Sequence, residues 1–154
     1  MSLMTATPYK INNMELKNRI IMLVMHTAFA KGGKLSEEDY AFFEARAKGS
    51  PAAITQVVGV NDEGTADSMP NVTDESFFDA EKRITDMIHS YGTKHIVQLF
   101  HRGRNAASDK GLKPIAPSNV PSGIYRNECE VMTSEKIEET VKAFADAALK
   151  LKEI

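Results

Sequence analysis

Short apolar runs and amphipathic helical stretches take turns along this chain, and that alternation limits the fold more than any single residue does. Arg19–Met25, Ala52–Val60 and Lys94–Phe100 are each short enough to be a buried strand. A helical pattern follows each of them. After the Gly32-Gly33 break, Ser36 can cap a helix whose first turn carries Glu37, Glu38 and Asp39 at the positive end of its dipole. Tyr40, Phe43 and Ala47 give it an apolar stripe, and Gly49-Ser50-Pro51 stops it. A second helix is expected from about Ser76 to Tyr91, with Phe77, Ile84, Met87 and Ile88 on one side. The third starts at Thr133 or Ser134 and repeats Ile137, Val141, Phe144, Ala148 and Leu151 at helical spacing. Three strand-then-helix units in succession imply an α/β fold with parallel strands and right-handed crossovers.

Two further stretches complete the outline. Tyr9-Lys10-Ile11 and Met14-Glu15-Leu16 flank Asn12-Asn13, and asparagine tolerates the positive φ of a tight turn, so this is a small hairpin. Asn105–Met132, with Pro114, Pro117, Pro121 and Gly123, reads as one long loop without regular structure. Loops of that length inside compact domains are usually functional or disordered.

Composition then narrows the function classes. With 154 residues, a net charge of −2, 42% hydrophobic and 26% charged residues, the chain is expected to be one soluble globular unit. Neither nucleic acid nor an anionic membrane is implied by so even a balance. Cys129 is the single cysteine, which excludes an internal disulfide and a cysteine-built metal site or iron–sulfur cluster. No apolar run reaches the roughly 18 residues that span a bilayer. The N-terminus lacks the layout of a secretory signal, so a cytoplasmic location is expected. No GxGxxG follows a strand, and Lys31-Gly32-Gly33-Lys34 lacks phosphate-loop spacing.

In parallel α/β folds sites gather at the carboxyl ends of strands. Here those ends are Met25-His26-Thr27, Gln56 to Val60 and Gln98 to Arg104. Alternation along Lys94–Phe100 puts Lys94, Ile96, Gln98 and Phe100 on one face, and His95, Val97 and Leu99 on the other. Gln98 is a carboxamide near the end of an apolar strand. Either backbone or water satisfies it, or its donor-plus-acceptor pattern meets the edge of a heteroaromatic ring. His89, His95 and His101 recur every six residues, which matches neither a helix face nor a compact ligand pair, so no metal is expected. Arg102 reads as a solvated loop cation, while Arg104 is left open as an anion ligand. Ser118 and Ser122 lack a neighbouring histidine and acid, and the Asn71-Val72-Thr73 sequon is irrelevant without secretion.

Several of these segments together resemble the old yellow enzyme family. They are Leu16-Lys17-Asn18-Arg19-Ile20 leading to Met25-His26-Thr27, and Val97-Gln98-Leu99-Phe100-His101-Arg102-Gly103-Arg104. Ala116-Pro117-Ser118 follows, then Met132-Thr133 opening a helix with Phe144-Ala145-Asp146-Ala147-Ala148. Order and spacing hold from about Pro8 to the end, and Met25-His26-Thr27 is similar to the dienoyl-CoA reductase and bile-acid reductase branch. The resemblance implies a (β/α)8 TIM barrel that holds FMN. NADH or NADPH reduces it and an activated alkene, thioesters included, reoxidises it: an NAD(P)H:flavin oxidoreductase or ene-reductase. It places first-strand flavin contacts on Val24, Met25 and His26, with Thr27 beside them, a second-strand contact near Val57, and the flavin pyrimidine edge on Gln98. Val24 and Val57 are bulkier than the family's usual residues there.

Such a barrel needs roughly 250 residues. Residues 1–154 are therefore expected to be a partial FMN-binding barrel, with the hairpin at 8–17 and three strand–helix units over 19–154, stopping before a fourth strand. The family's catalytic residues are expected beyond Ile154, and the isolated chain is expected to be inactive. The alternative is a non-catalytic half-barrel that self-associates or is completed by a second chain.

Overall fold

A computed structural model describes residues 3–106, 111–126 and 128–154. It is an α/β structure. The hairpin β1 (Tyr9–Ile11) and β2 (Met14–Leu16) is followed by β3 (Ile21–Met25), α1 (Glu37–Lys48), β4 (Ala53–Gly59), α2 (Phe77–Ser90) and β5 (Lys94–Phe100). Two-residue strands β6 (Ile115–Ala116) and β7 (Glu130–Val131) precede α3 (Ser134–Leu151). β3, β4 and β5 form a parallel sheet in that order, and the hairpin is antiparallel.

Local chemistry fixes the ends of these elements. Ser36 accepts from the Asp39 N–H while the Asp39 carboxylate accepts from the Ser36 N–H, so α1 begins in a full capping box. Thr133 caps α3 by accepting from Lys136 N–H. Lys17-Asn18 holds the amino-terminal rim of the sheet. Lys17 Nζ donates to the Tyr91 carbonyl at 2.7 Å and to Thr93 Oγ1 at 3.1 Å, and Asn18 Nδ2 donates to the Ser50 carbonyl at 2.9 Å.

The two faces of the sheet differ. On the helix side, Ile54 of β4 packs with Phe43 and Ala47 of α1 and Ile84 and Ile88 of α2, all buried. On the opposite side the hairpin covers the amino end, where Leu16 and Met14 pack with Ala53 and Ile96, and beyond it Leu23 is 76% exposed, and Ile21 and Phe100 are also exposed. Among the described residues β5 pairs only with β4, and α3 contacts β5. The expected stripe on α3 is not a buried one. Ile137 is 47% and Val141 63% exposed, and among its described residues only Ala147 is buried. The long loop is also corrected. Within its described residues Ile115–Ala116 and Glu130–Val131 form a parallel ladder, which brings the segment before α3 back beside the end of β5. Proline-rich sequence around a two-residue strand hides such a pairing.

Buried polar groups lie within the helix-side core. Gln56 of β4 donates from Nε2 to Glu81 Oε2 of α2 at 3.2 Å. His95 Nδ1 lies 2.9 Å from Thr85 Oγ1 and 3.7 Å from Glu81 Oε1. Burial pushes the Glu81 carboxyl up to about 8 and the His95 imidazole down to about 4, so both are neutral near pH 6. Their ordinary values are 4.5 and 6.5. A raised acid stabilises the fold below 4.5 and loses that contribution as pH climbs to 8. A depressed base contributes above 6.5 and loses it as pH falls to 4. The two slopes oppose each other between 4.5 and 6.5. Urea unfolding is therefore expected to give a flat stability from pH 4.5 to 6.5 and a decline from 6.5 to 8. In Glu81→Gln the decline above 6.5 should vanish and stability should instead rise from pH 4 to 6.5.

Candidate functional site

Period-2 alternation carries residues from the three strands onto the open face. β4 and β5 align Val57 with Gln98 and Gly59 with Phe100. β3 joins them after a register shift between Met22 and Met25. A pocket of about 260 Å³ results at the carboxyl end of the sheet, lined by Val24, His26, Val57, Met69, Gln98, Phe100 and Arg102. Its walls are mostly apolar. The Gln98 carboxamide is solvent-exposed and makes no hydrogen bond among the described residues, so its donor and acceptor are both available.

Of the six residues assigned to the site from sequence, Val24, His26, Val57 and Gln98 meet in this pocket. Met25 and Thr27 do not line it. Met25 is 57% exposed and registers with Gln56 across the bulged pair. Thr27 turns to the α1 cap, where its hydroxyl donates to buried Asp39 Oδ1 at 2.8 Å. Met69, Phe100 and Arg102 were missed as site residues. Phe100 shares the Gln98 face by simple alternation, so its signal was present; Met69 comes from the 61–76 loop, whose path no periodicity reports. His26 Nε2 lies 3.2 Å from both the carbonyl and hydroxyl oxygens of Ser68, which holds that loop against β3.

Arg104, left open as an anion ligand, is engaged within the protein, and Arg102, read as a solvated loop cation, lines the pocket. Arg104 donates to the Val120 carbonyl at 2.8 Å and to Ser118 Oγ at 3.3 Å, so it secures the Ala116-Pro117-Ser118 segment. Arg102 is the one that reaches the pocket.

His101 forms the shelf under this end of β5. The Gly103 N–H donates to His101 Nδ1 at 3.0 Å, which puts the proton of the neutral ring on Nε2. Burial lowers the pKa of the ring, with Glu63 opposing. The ring lies against Gly64, where an added Cβ would come within 2.1 Å of His101 Cδ2. Glu63 is held in turn by Lys136 of α3 at 3.0 Å.

Residues 6–154 match the model of the NADH:flavin oxidoreductase / NADH oxidase family. The chain belongs to that family. Its α/β fold is the N-terminal part of an old yellow enzyme TIM barrel. A metal reductase of Desulforamulus reducens is 33% identical over 148 residues, covering 95% of this chain and 22% of that protein. An NADPH dehydrogenase of Bacillus subtilis is 31% identical over 151 residues, covering 96% of this chain and 44% of its own length. Among solved structures, a 2-naphthoyl-CoA reductase complex with 2-naphthoyl-CoA aligns with a TM-score of 0.88 at 26% identity, over 97% of this chain and 26% of that one. Morphinone reductase in complex with tetrahydroNAD gives 0.87 over 99% and 47%; at 17% identity that likeness shows the fold alone. The chain thus spans less than half the length of these relatives.

Within this family member, Gly64 packs directly against the His101 ring that follows β5. Gly64→Ala must displace the half-buried His101 ring, and it is expected to cost about 1–3 kcal/mol of stability. Denaturant titration reads the cost, and a shift of the His101 ring resonances would report the displacement; unchanged stability and unchanged resonances would show that the shelf is loose.

Proposed function

We propose that these residues form the N-terminal part of an FMN-dependent NAD(P)H:flavin oxidoreductase that reduces activated alkenes. The observation that carries the reading is the free Gln98 carboxamide in an apolar pocket at the strand ends. An unpaired amide costs little while it faces water, and it gains a donor and an acceptor bond when a planar imide edge arrives. The residues present fit that group. Val24, Val57 and Phe100 offer apolar surface to the flat of a ring, and Gln98 offers its edge-binding pair. When bound, the flavin would supply hydride transfer between a nicotinamide and an acceptor.

The chain's own residues bind and orient. Gln98 fixes the ring in its plane. Val57 is buried and rigid on the central strand, so it sets how deeply a ring can settle. His26 and Met69 border the pocket where β3 and the 61–76 loop meet. His26 turns its Nε2 to Ser68, and the substrate's proton donor is assigned to the further strands. Catalysis is accordingly assigned to a barrel that includes further strands, and the three strands alone are not assigned turnover. Naphthoyl-CoA in the 26%-identical structure supports a thioester acceptor.

The flavin reading is tested by titrating FMN into the chain and following quenching of its fluorescence. Gln98→Ala is expected to weaken binding by about 1–3 kcal/mol through lost hydrogen bonds. Met25→Ala, outside the pocket, should change it less. Identical titrations for wild type and Gln98→Ala would show that the contact is not made.

A second reading rests on the open sheet face. Exposed Ile21, Leu23 and Phe100, with the unpaired edge of β5, suit burial against another surface. We infer that the isolated polypeptide self-associates or accepts a complementing chain. Sedimentation of the purified chain at micromolar concentration is expected to show species heavier than the 17.0 kDa monomer; a stable monomer that unfolds cooperatively would remove this reading.

A further inference from the structure

One imidazole holds the turn on which the loop after β5 is hung. His101 Nδ1 accepts from the Gly103 N–H at 3.0 Å and so fixes the short helical turn Gly103–Asn105. Three contacts tie the loop to that turn. Arg104 donates to the Val120 carbonyl at 2.8 Å and to Ser118 Oγ at 3.3 Å. Asn105 Oδ1 accepts from Ser122 Oγ at 2.6 Å, and the same hydroxyl oxygen accepts from the Ile124 and Tyr125 N–H groups. The Tyr125 hydroxyl in turn accepts from Arg102 at 3.0 Å.

Only the neutral ring offers that acceptor. An imidazolium carries a proton on both nitrogens, so its Nδ1–H would meet the Gly103 N–H donor to donor. The ring is wedged on Gly64, where an added Cβ would fall 2.1, 2.4 and 2.5 Å from its Cδ2, Nε2 and Cγ, and the adjoining Arg102 N–H is anchored to the Gly64 carbonyl at 2.6 Å. The turn is therefore the part that gives way. Surrounding charges do not replace the lost bond. On the 61–76 loop Glu63 acts on the ring, and it is already paired with Lys136 of α3 at 3.0 Å, which also holds Glu139 at 2.9 Å. Asp62 accepts from Asn71 and Thr73. The turn brings the cations Arg102 and Arg104, and Ile115–Ala116 of β6 brings no charge. His101 Nε2 is buried without a hydrogen-bond partner among the described residues.

We infer that His101 is a pH-sensitive latch: when neutral it pins the Gly103–Asn105 turn and the loop residues 118–125 fastened to it, and when protonated it releases them. Release frees Tyr125, which steadies Arg102 at the strand-end pocket, so the rim of that pocket follows the charge of a residue outside it. Burial holds the latched ring below its ordinary value of 6.5, with Glu63 opposing. A released ring, back in water, returns toward 6.5 and so binds protons more readily than the latched one. The latch is thus fully favoured above pH 6.5 and weakens as pH falls toward the lowered value, the ratio of released to latched turns rising about tenfold per pH unit in that window.

Amide hydrogen exchange of the 154-residue chain, corrected for the intrinsic pH dependence of exchange, reads the latch through peptides covering residues 103–106 and 118–125. From pH 7 to pH 5 their protection is expected to fall about fivefold or more, while that of β4 does not fall. His101→Asn keeps an acceptor near the Nδ1 position and cannot titrate, so its turn should stay protected at pH 5. His101→Ala should leave the turn unprotected at both values. Exchange of the imidazole C2 hydrogen gives the midpoint of the ring itself, expected below 6.5. No fall in the wild type, an equal fall in His101→Asn, a fall shared by β4, or a ring midpoint at or above 6.5 would each overturn the assignment. These readouts need no flavin, so a failure of FMN to bind leaves the latch standing, and a failed latch leaves the flavin reading standing.

Discussion

β4 is the strand on which the rest of the structure depends. It is the central strand, hydrogen-bonded to β3 on one side and β5 on the other, and all but one of its residues are buried. Its odd and even positions serve different layers. Ile54, Gln56 and Val58 face α1 and α2, where burial of Ile54 with Phe43, Ile84 and Ile88 supplies the main hydrophobic contribution to stability. Ala53, Thr55, Val57 and Gly59 take the opposite side, where Ala53 packs with Leu16 of the hairpin and Val57 lines the pocket. A slip of one residue in its pairing would exchange the two sets, so the hydrophobic pattern that secures the core also fixes the position of Val57 beside Gln98.

The asymmetry of the sheet follows from what surrounds it. Parallel strands are normally covered on both faces. Here the helix layer covers one face, while Leu23 and Phe100 remain in solvent on the other. The same cause leaves Ile137 and Val141 of α3 exposed, since a helix at the edge of a parallel sheet needs a strand on each side to bury its full stripe. In a closed (β/α)8 barrel, neighbouring strands and helices cover both kinds of surface.

Much of the fold was legible because it depends on local chemistry. Ser36 with Asp39, Asn12-Asn13 at the hairpin and the alternation of Lys94–Phe100 each specify their element with neighbouring residues alone. The β6–β7 ladder was hidden because it pairs residues fifteen apart through a segment with no periodicity. Site residues divided in the same manner. Gln98 lies on a strand where alternation gives the face; Val24 and Val57 were expected from the family resemblance, and Val24 reaches the pocket in the stretch of β3 where the register shifts. Thr27 lies two residues past the end of β3, where the chain turns and its hydroxyl is taken by Asp39. Glu81 gave no sign of itself either. In sequence it is one more acidic residue on a helix surface, and its partners, Gln56 and His95, are distant along the chain.

The adjacent residues Gln56 and Val57 join the two layers mechanically. Gln56 is held by Glu81 on the helix side, with its Oε1 left without a partner, and Val57 forms the pocket floor on the other. Any movement of α2 that shifts the Glu81 carboxyl must therefore pull on the strand that carries Val57. The neutral state of Glu81 keeps this link soft, because a carboxylate ionised beside His95, itself neutral, would demand solvation that the core does not offer. Hydrophobic residues at both positions would pack the core without that demand and would fix α2 to β4 less specifically, since apolar contacts are non-directional whereas the amide-to-carboxyl bond selects one register. The strand that sets the depth of the pocket is thus registered to its covering helix by a polar contact within an otherwise apolar layer.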